Sequence, residues 1–195
     1  MGAVTHPFQR WPQTRRRLAL MCAVIAALVP AVAGAVVKPL HEGQIGEGIV
    51  EFELAGSVER AEAILAVWRA EGVVDEAKRI QIFDLLYPLI YAAAVAGACV
   101  AAAGAWRRAG RVRLAALGIA MAWVAFAAAG FDYVENLGLG VSLWDRPASP
   151  WPQVALTAAV VKFSAIGVAL LYALTGPIVA FGARRGGAHS QTVDS

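Results

Sequence analysis

Cysteine, histidine and charge are all scarce in this chain. Of its 195 residues two are cysteine and three are histidine, and Asp, Glu, Lys and Arg together make up 16%. Cys22 and Cys99 stand far apart in apolar stretches, with no C-x-x-C pair. Thiol-redox chemistry loses its main sequence mark, and no structural disulfide can be argued. Both cysteines read as buried, unreactive thiols. His6, His41 and His189 lie outside the apolar stretches, so an intramembrane zinc site lacks its usual nitrogen ligands. No activated serine or cysteine nucleophile is apparent, which counts against hydrolases of the triad type. Gly43, Gly46 and Gly48 around Gln44 predict a loop rather than a phosphate cradle, because no helix start is expected directly after them. The basic surplus of +3 does not point to nucleic acid. The arginines flank apolar segments, and no basic helix face is interleaved with aromatics.

Apolar residues are abundant, at 59%. Soluble domains run nearer half apolar and about a quarter charged, so this is membrane composition. A spanning helix needs about 20 mostly apolar residues, and four stretches qualify: 18–37, 80–105, 112–137 and 154–181. The expected fold is an all-α four-transmembrane-helix bundle. A small extracytoplasmic segment, a strand plus an amphipathic helix, lies between spans one and two. Small residues recur every four positions, as at Ala93, Gly97 and Ala101, a spacing that lets helix backbones approach closely in lipid.

Lysine and arginine positions set the orientation. Residues 1–17 form a basic cytoplasmic N-terminus with Arg10, Arg15, Arg16 and Arg17. The loop 106–111 is basic and cytoplasmic, and 182–195 reads as a disordered cytoplasmic tail carrying Arg184 and Arg185. The extracytoplasmic segment 38–79 holds nine acids against five Lys and Arg residues. The loop 138–153, also outside, has only Asp145 and Arg146 as charges. Trp68, Trp144 and Trp151 are the expected interfacial anchors. An even number of spans satisfies every flank, with both termini in the cytoplasm of a bacterial inner membrane. A second reading takes span one as a cleaved secretion signal, with Arg15-Arg16-Arg17 ahead of it and Ala33-Gly34-Ala35 as the cleavage site. It leaves the other spans unchanged.

Within 38–79, Ile49 to Leu54 alternates apolar and acidic residues, the period-two mark of a half-buried strand. Ser57 then reads as the N-cap of an amphipathic helix over 57–71, with Glu59 near its positive end. Ala61, Ile64, Leu65 and Trp68 recur at helical spacing, and Gly72 is the expected stop. This helix either lies on the lipid surface or caps the bundle. Its mixed, slightly acidic polar face favours capping, since surface helices usually carry a basic one. Asp75 is the expected cap of a helix running on into span two.

Ionisable residues recur inside the spans: Asp84 with Tyr87 and Tyr91 in span two, Asp132, Glu135 and Asn136 in span three, Lys162 in span four. Such residues are costly in lipid and mark either a functional site or a paired structural network. Asp132, Glu135 and Asn136 share one helix face. Lys162 lies about 16 Å along its helix from Trp151, at a rise of about 1.5 Å per residue. Because Cβ vectors tilt toward each helix's N-terminus, the lysine and the span-three acids approach one level. Three carboxylates then face one ammonium, so a carboxyl must hold a proton or a cation must bind. No metal ligand set can be assigned and no cofactor is required, although Asp132 and Glu135 suit a hard cation such as Mg²⁺ or Ca²⁺.

The run Phe131-Asp132-Tyr133-Val134-Glu135-Asn136, with Lys162-Phe163 in the next span, resembles uncharacterised four-helix bacterial integral membrane proteins with an F-D-x-x-E-N motif in the third span. The resemblance implies that the acidic face of span three and the lysine belong together. It carries no activity. Two function classes remain. One is a protein of the bilayer that binds a lipid headgroup, a small ligand or another membrane protein through the cluster. The other is an intramembrane enzyme acting on a lipid or isoprenoid substrate by carboxylate acid/base chemistry.

Overall fold

The computed structural model describes residues 5–10 and 48–190. The expected first span, 18–37, and most of the acidic segment before Gly48 lie outside the described residues. Those described contain six α-helices and no strand: α1 (Ile49–Glu53), α2 (Val58–Glu71), α3 (Val74–Asp84), α4 (Tyr87–Arg108), α5 (Val112–Trp144) and α6 (Trp151–Ser190). Three stretches, Tyr87–Arg108, Val112–Trp144 and Trp151–Ile178, are long and apolar enough to cross a membrane. The chain is an all-α, membrane-embedded protein.

α4, α5 and α6 each pack against the other two. Their shared core is built largely from small residues, with Ala96, Ala122, Ala125 and Ala169 wholly buried. Glycine sets the spacing at two crossings. A Cβ on Gly176 would lie 2.8 Å from Cα of Ala102, and one on Gly118 would strike the Tyr172 ring. With no hydrophobic drive between helices in lipid, such close approach is what packing attraction can work on. Polar side chains add three ties: Tyr172 to the Leu114 carbonyl at 2.8 Å, Trp106 to Thr175 at 2.9 Å, and the buried Cys99 thiol to the Ala169 carbonyl at 3.3 Å. Of the expected basic terminus, residues 5–10 lie against this bundle, with His6 buried between the rings of Phe8, Trp123 and Phe126.

α1, α2 and α3 form a cap over the end of the bundle where α5 gives way to α6. Phe52, Ala61, Ile64, Leu65, Trp68 and Ala77 share one buried cluster with Leu139 and Leu143 of α5 and Ala155 of α6. α2 follows its sequence closely. Ser57 Oγ accepts from the Arg60 amide at 3.1 Å, and Gly72 ends the helix at φ 71°. The capping role is the one adopted. Trp68 is 1% exposed and packs on Phe52 at 5.1 Å between ring centroids, so it anchors the cap's core and not the bilayer surface. Trp144 is exposed and Trp151 half-buried at the ends of α5 and α6.

Several boundaries differ from expectation. The predicted strand at 49–54 is the helix α1. Helical spacing puts Ile49 and Phe52 on one flank, and the Gly48 amide donates to the Glu51 carboxylate at 2.8 Å; a lone strand there would leave its backbone groups without a ladder. A helix thus does start directly after Gly48, but it spans five residues and its first amide is already taken. Asp75 sits in the first turn of α3 and is not its cap, which falls at Val73. Span two is not continuous over 80–105. Pro88 lacks an N–H and its ring crowds the carbonyl four residues earlier, so α3 ends at Asp84 and α4 starts afresh at Tyr87. α5 runs through Gly138 and Gly140 to Trp144, where the sequence predicts a loop from residue 138. Gly138 is small because the Trp151 carbonyl lies against it, not because the chain turns. The connection is therefore only 145–150. The backbone is helical through Ser190, where a disordered tail is expected from 182.

Candidate functional site: a buried carboxyl–lysine cluster

The break between α3 and α4 decides what reaches the cluster. α3 packs against α5, and the Tyr133 hydroxyl of α5 donates to the Leu85 carbonyl at the break (3.0 Å). Gln81 and Asp84 are thereby presented to the acidic face of α5. On that face Asp132, Glu135 and Asn136 fall at i, i+3 and i+4, all buried. Lys162 of α6 meets them. Its Nζ donates to Asp132 Oδ1 at 3.3 Å and to Glu135 Oε1 at 2.9 Å, and lies 2.7 Å from Glu135 Oε2. The ammonium also sits 4.6 Å from the centroid of the Phe163 ring. Glu135 is 0% exposed, Asp132 2% and Lys162 5%.

The polar contacts around these three are closely matched. Asp132 Oδ2 accepts from the Tyr91 hydroxyl at 2.8 Å, and Oδ1 takes a longer bond from Asn136 Nδ2 (3.4 Å) besides Lys162. The Asn136 oxygen accepts from Gln81 Nε2. The Asn136 amide also hydrogen-bonds Asp84, so both ends of that side chain are used. Glu135 is less well served. Its Oε2 is close to the ammonium, but no donor is aligned on it, and its second neighbour is another carboxyl, that of Glu53.

Glu53, the last residue of α1, is the member that the sequence hides. Paired with Glu51 in an alternating pattern, it reads as the wet face of a strand. In a helix it stands beside the buried Phe52 and turns into the cluster. Burial pushes its carboxyl up to about 7, with Asp84 and Asp132 adding to the rise while Lys162 and the Glu135 hydrogen bond oppose it. Gln81 was legible in principle. Ala77, Gln81 and Asp84 recur at i, i+4 and i+7, so they share a face.

Of the residues singled out from sequence, Asp84, Tyr91, Asp132, Glu135, Asn136 and Lys162 come together. Tyr87 stands at the edge, its ring 5.5 Å from that of Tyr91. The carboxylates suited to a hard cation, Asp132 and Glu135, are bridged by the Lys162 ammonium instead. Among the described residues no group of three or more His, Cys, Asp or Glu side chains is arranged to hold a metal ion. Comparison with family models, with curated proteins and with solved structures finds no match to this chain.

Proposed function

We propose that the chain is a four-span protein of the bacterial inner membrane that binds a cationic group through its carboxyl–lysine cluster. The chemistry recognised is an ammonium, carried on a lipid headgroup or on a small soluble amine. One observation carries the reading: among the described residues four carboxyls, Glu53, Asp84, Asp132 and Glu135, converge on one ammonium, that of Lys162. Ionised together in a poorly solvated site they leave an uncompensated negative charge, which a proton or a bound cation must offset.

In this reading residues 18–37 supply the first span, the α1–α3 cap is extracytoplasmic and both termini are cytoplasmic, as the arginine flanks require. The cluster then lies toward the outer leaflet. The motif resemblance to four-helix bacterial membrane proteins agrees with this topology. The enzyme alternative has less support. A general base must reach a substrate proton, whereas Asp132 already accepts from Tyr91, Asn136 and Lys162.

The test uses the full chain in nanodiscs containing phosphatidylethanolamine and phosphatidylglycerol, followed by native mass spectrometry of retained lipid. Wild type is expected to retain the ethanolamine lipid preferentially, and Asp84→Asn to lose most of that preference. Free ethanolamine displacing the lipid assigns recognition to the ammonium alone; no displacement assigns it to the whole lipid. Equal retention of both lipids, with no calorimetric binding of ethanolamine, overturns the proposal.

A further inference from the structure

We propose that the turn joining α4 to α5 binds a membrane lipid carrying two phosphates, held by Arg107, Arg108, Arg111 and Arg113. The site goes beyond the ammonium reading above and does not rest on it. Its arginines begin about 30 Å along α4 from Tyr87, at a rise of about 1.5 Å per residue. The starting point is a charge imbalance. Four arginines fall within seven residues, and all four are exposed. No Asp or Glu stands between Asp84 and Asp132, so neither helix offers a nearby carboxylate. Among the described residues the ion pairs join Arg79 to Glu76 and Lys162 to Asp132 and Glu135, and none involves this turn.

The backbone fixes where the guanidinium groups start. Gly110, at φ 75°, turns the chain after α4. Its amide donates to the Arg107 carbonyl at 3.1 Å, and the Arg111 amide donates to the Trp106 carbonyl at 2.9 Å. α5 then begins at Val112, so only residues 109–111 separate the two helices. Arg107 and Arg108 sit at the negative end of α4, where the helix dipole favours cations. Arg111 and Arg113 do not share that reason. They stand at the positive end of α5, a helix of 33 residues, where a cation is disfavoured. An anion lying among the four turns that cost into a gain. Arg108 also folds back along its helix, so that a Cβ on Gly104 would lie 3.6 Å from its Nη1.

The neighbouring surface selects a lipid over a free anion. Val112, Leu114 and Leu117 are exposed beside the arginines, and Arg113 and Leu117 share a helix face at i and i+4. Their helix is long and apolar enough to cross a membrane. An acyl chain can therefore lie on that face while its headgroup meets the guanidinium groups at the helix end. A guanidinium suits phosphate because its planar fork gives two parallel N–H···O bonds. The arginines come as two pairs, one from the last turn of α4 and one from the start of α5. Two phosphates, one for each pair, balance more of the four charges than a single phosphate does. Basic clusters at the ends of membrane helices are suited to cardiolipin-type headgroups for this reason.

The experiment is native mass spectrometry of the full chain from nanodiscs of phosphatidylethanolamine, phosphatidylglycerol and cardiolipin. Cardiolipin is expected to be retained over phosphatidylglycerol well beyond its share of the bilayer. Each arginine at an anionic membrane surface is worth about fivefold in binding, so Arg111→Gln/Arg113→Gln should cut cardiolipin retention about 25-fold. Arg79→Gln removes a charge of the cap instead and should leave retention unchanged. Retention of the two anionic lipids in proportion to bilayer content overturns the proposal, as does an equal loss in the Arg79 variant. Displacement of cardiolipin by inorganic pyrophosphate overturns the lipid assignment, because the turn then takes free phosphate. Preference for the ethanolamine lipid is read in the same spectra, and its survival in the double variant shows that the fold is intact. Its absence beside retained cardiolipin removes the ammonium site alone, and the reverse result removes this one alone.

Discussion

Replacing Lys162 with methionine removes the one cation that the described residues bring to the cluster and leaves two buried carboxylates without it. Breaking a buried ion pair in this way costs about 3–5 kcal/mol. The two acids do not share that loss equally. Asp132 keeps the Tyr91 hydroxyl at 2.8 Å and the Asn136 amide, and its distance to the ammonium is already 3.3 Å. Glu135 has the ammonium at 2.9 and 2.7 Å and otherwise only the Glu53 carboxyl. Neutralising Glu135 should accordingly rescue Lys162→Met, and neutralising Asp132 should not. In detergent-titration unfolding, the Lys162→Met/Glu135→Gln cycle is expected to show a coupling of about 2–3 kcal/mol, and the Lys162→Met/Asp132→Asn cycle less than about 1 kcal/mol. Equal rescue by the two acids refutes the ranking drawn from these distances. A Lys162→Met protein within about 1 kcal/mol of wild type refutes the buried pair itself.

Two further substitutions probe the scaffold. Trp68→Ala should cost about 3–5 kcal/mol as a cavity in the cap's core; a loss below about 1 kcal/mol, with altered lipid partitioning, would return Trp68 to the role of interfacial anchor. Gly176→Ala brings a methyl group to 2.8 Å from the Ala102 backbone. It should force α4 and α6 apart at a cost of about 1–3 kcal/mol, read as lower unfolding free energy and a longer spin-label distance between the two helices.

The pattern that was legible in the sequence is the kind fixed by helical periodicity. Asp132, Glu135 and Asn136 share a face because of their spacing alone, and Lys162 reaches them because Cβ vectors tilt in opposite senses on antiparallel helices. α2 was equally plain, since Ser57, the 61/64/65/68 stripe and Gly72 all point to the same helix. Glu53 was hidden because five residues of alternating apolar and acidic character fit both periods, and only tertiary contact decides between them. Gly138 misled for a related reason. A glycine that admits a neighbouring backbone looks, in one dimension, like a glycine that permits a turn. Pro88 marks in one dimension the break between α3 and α4, because it lacks an N–H and its ring crowds the carbonyl four residues earlier.

The pairing of Lys162 with Asp132 and Glu135 also bears on how such a chain enters its membrane. α5 by itself offers lipid two carboxyls and α6 by itself one ammonium, and each such group at the centre of an inserting helix costs about 2.5–3.5 kcal/mol or more. Neither helix is well suited to partition alone. Joined by only residues 145–150, the two are short-tethered neighbours whose charges cancel as they meet. Insertion is therefore expected to proceed with α5 waiting, held at the translocation machinery or at the interface, until α6 has been synthesised and the helical hairpin can leave water as a nearly neutral unit.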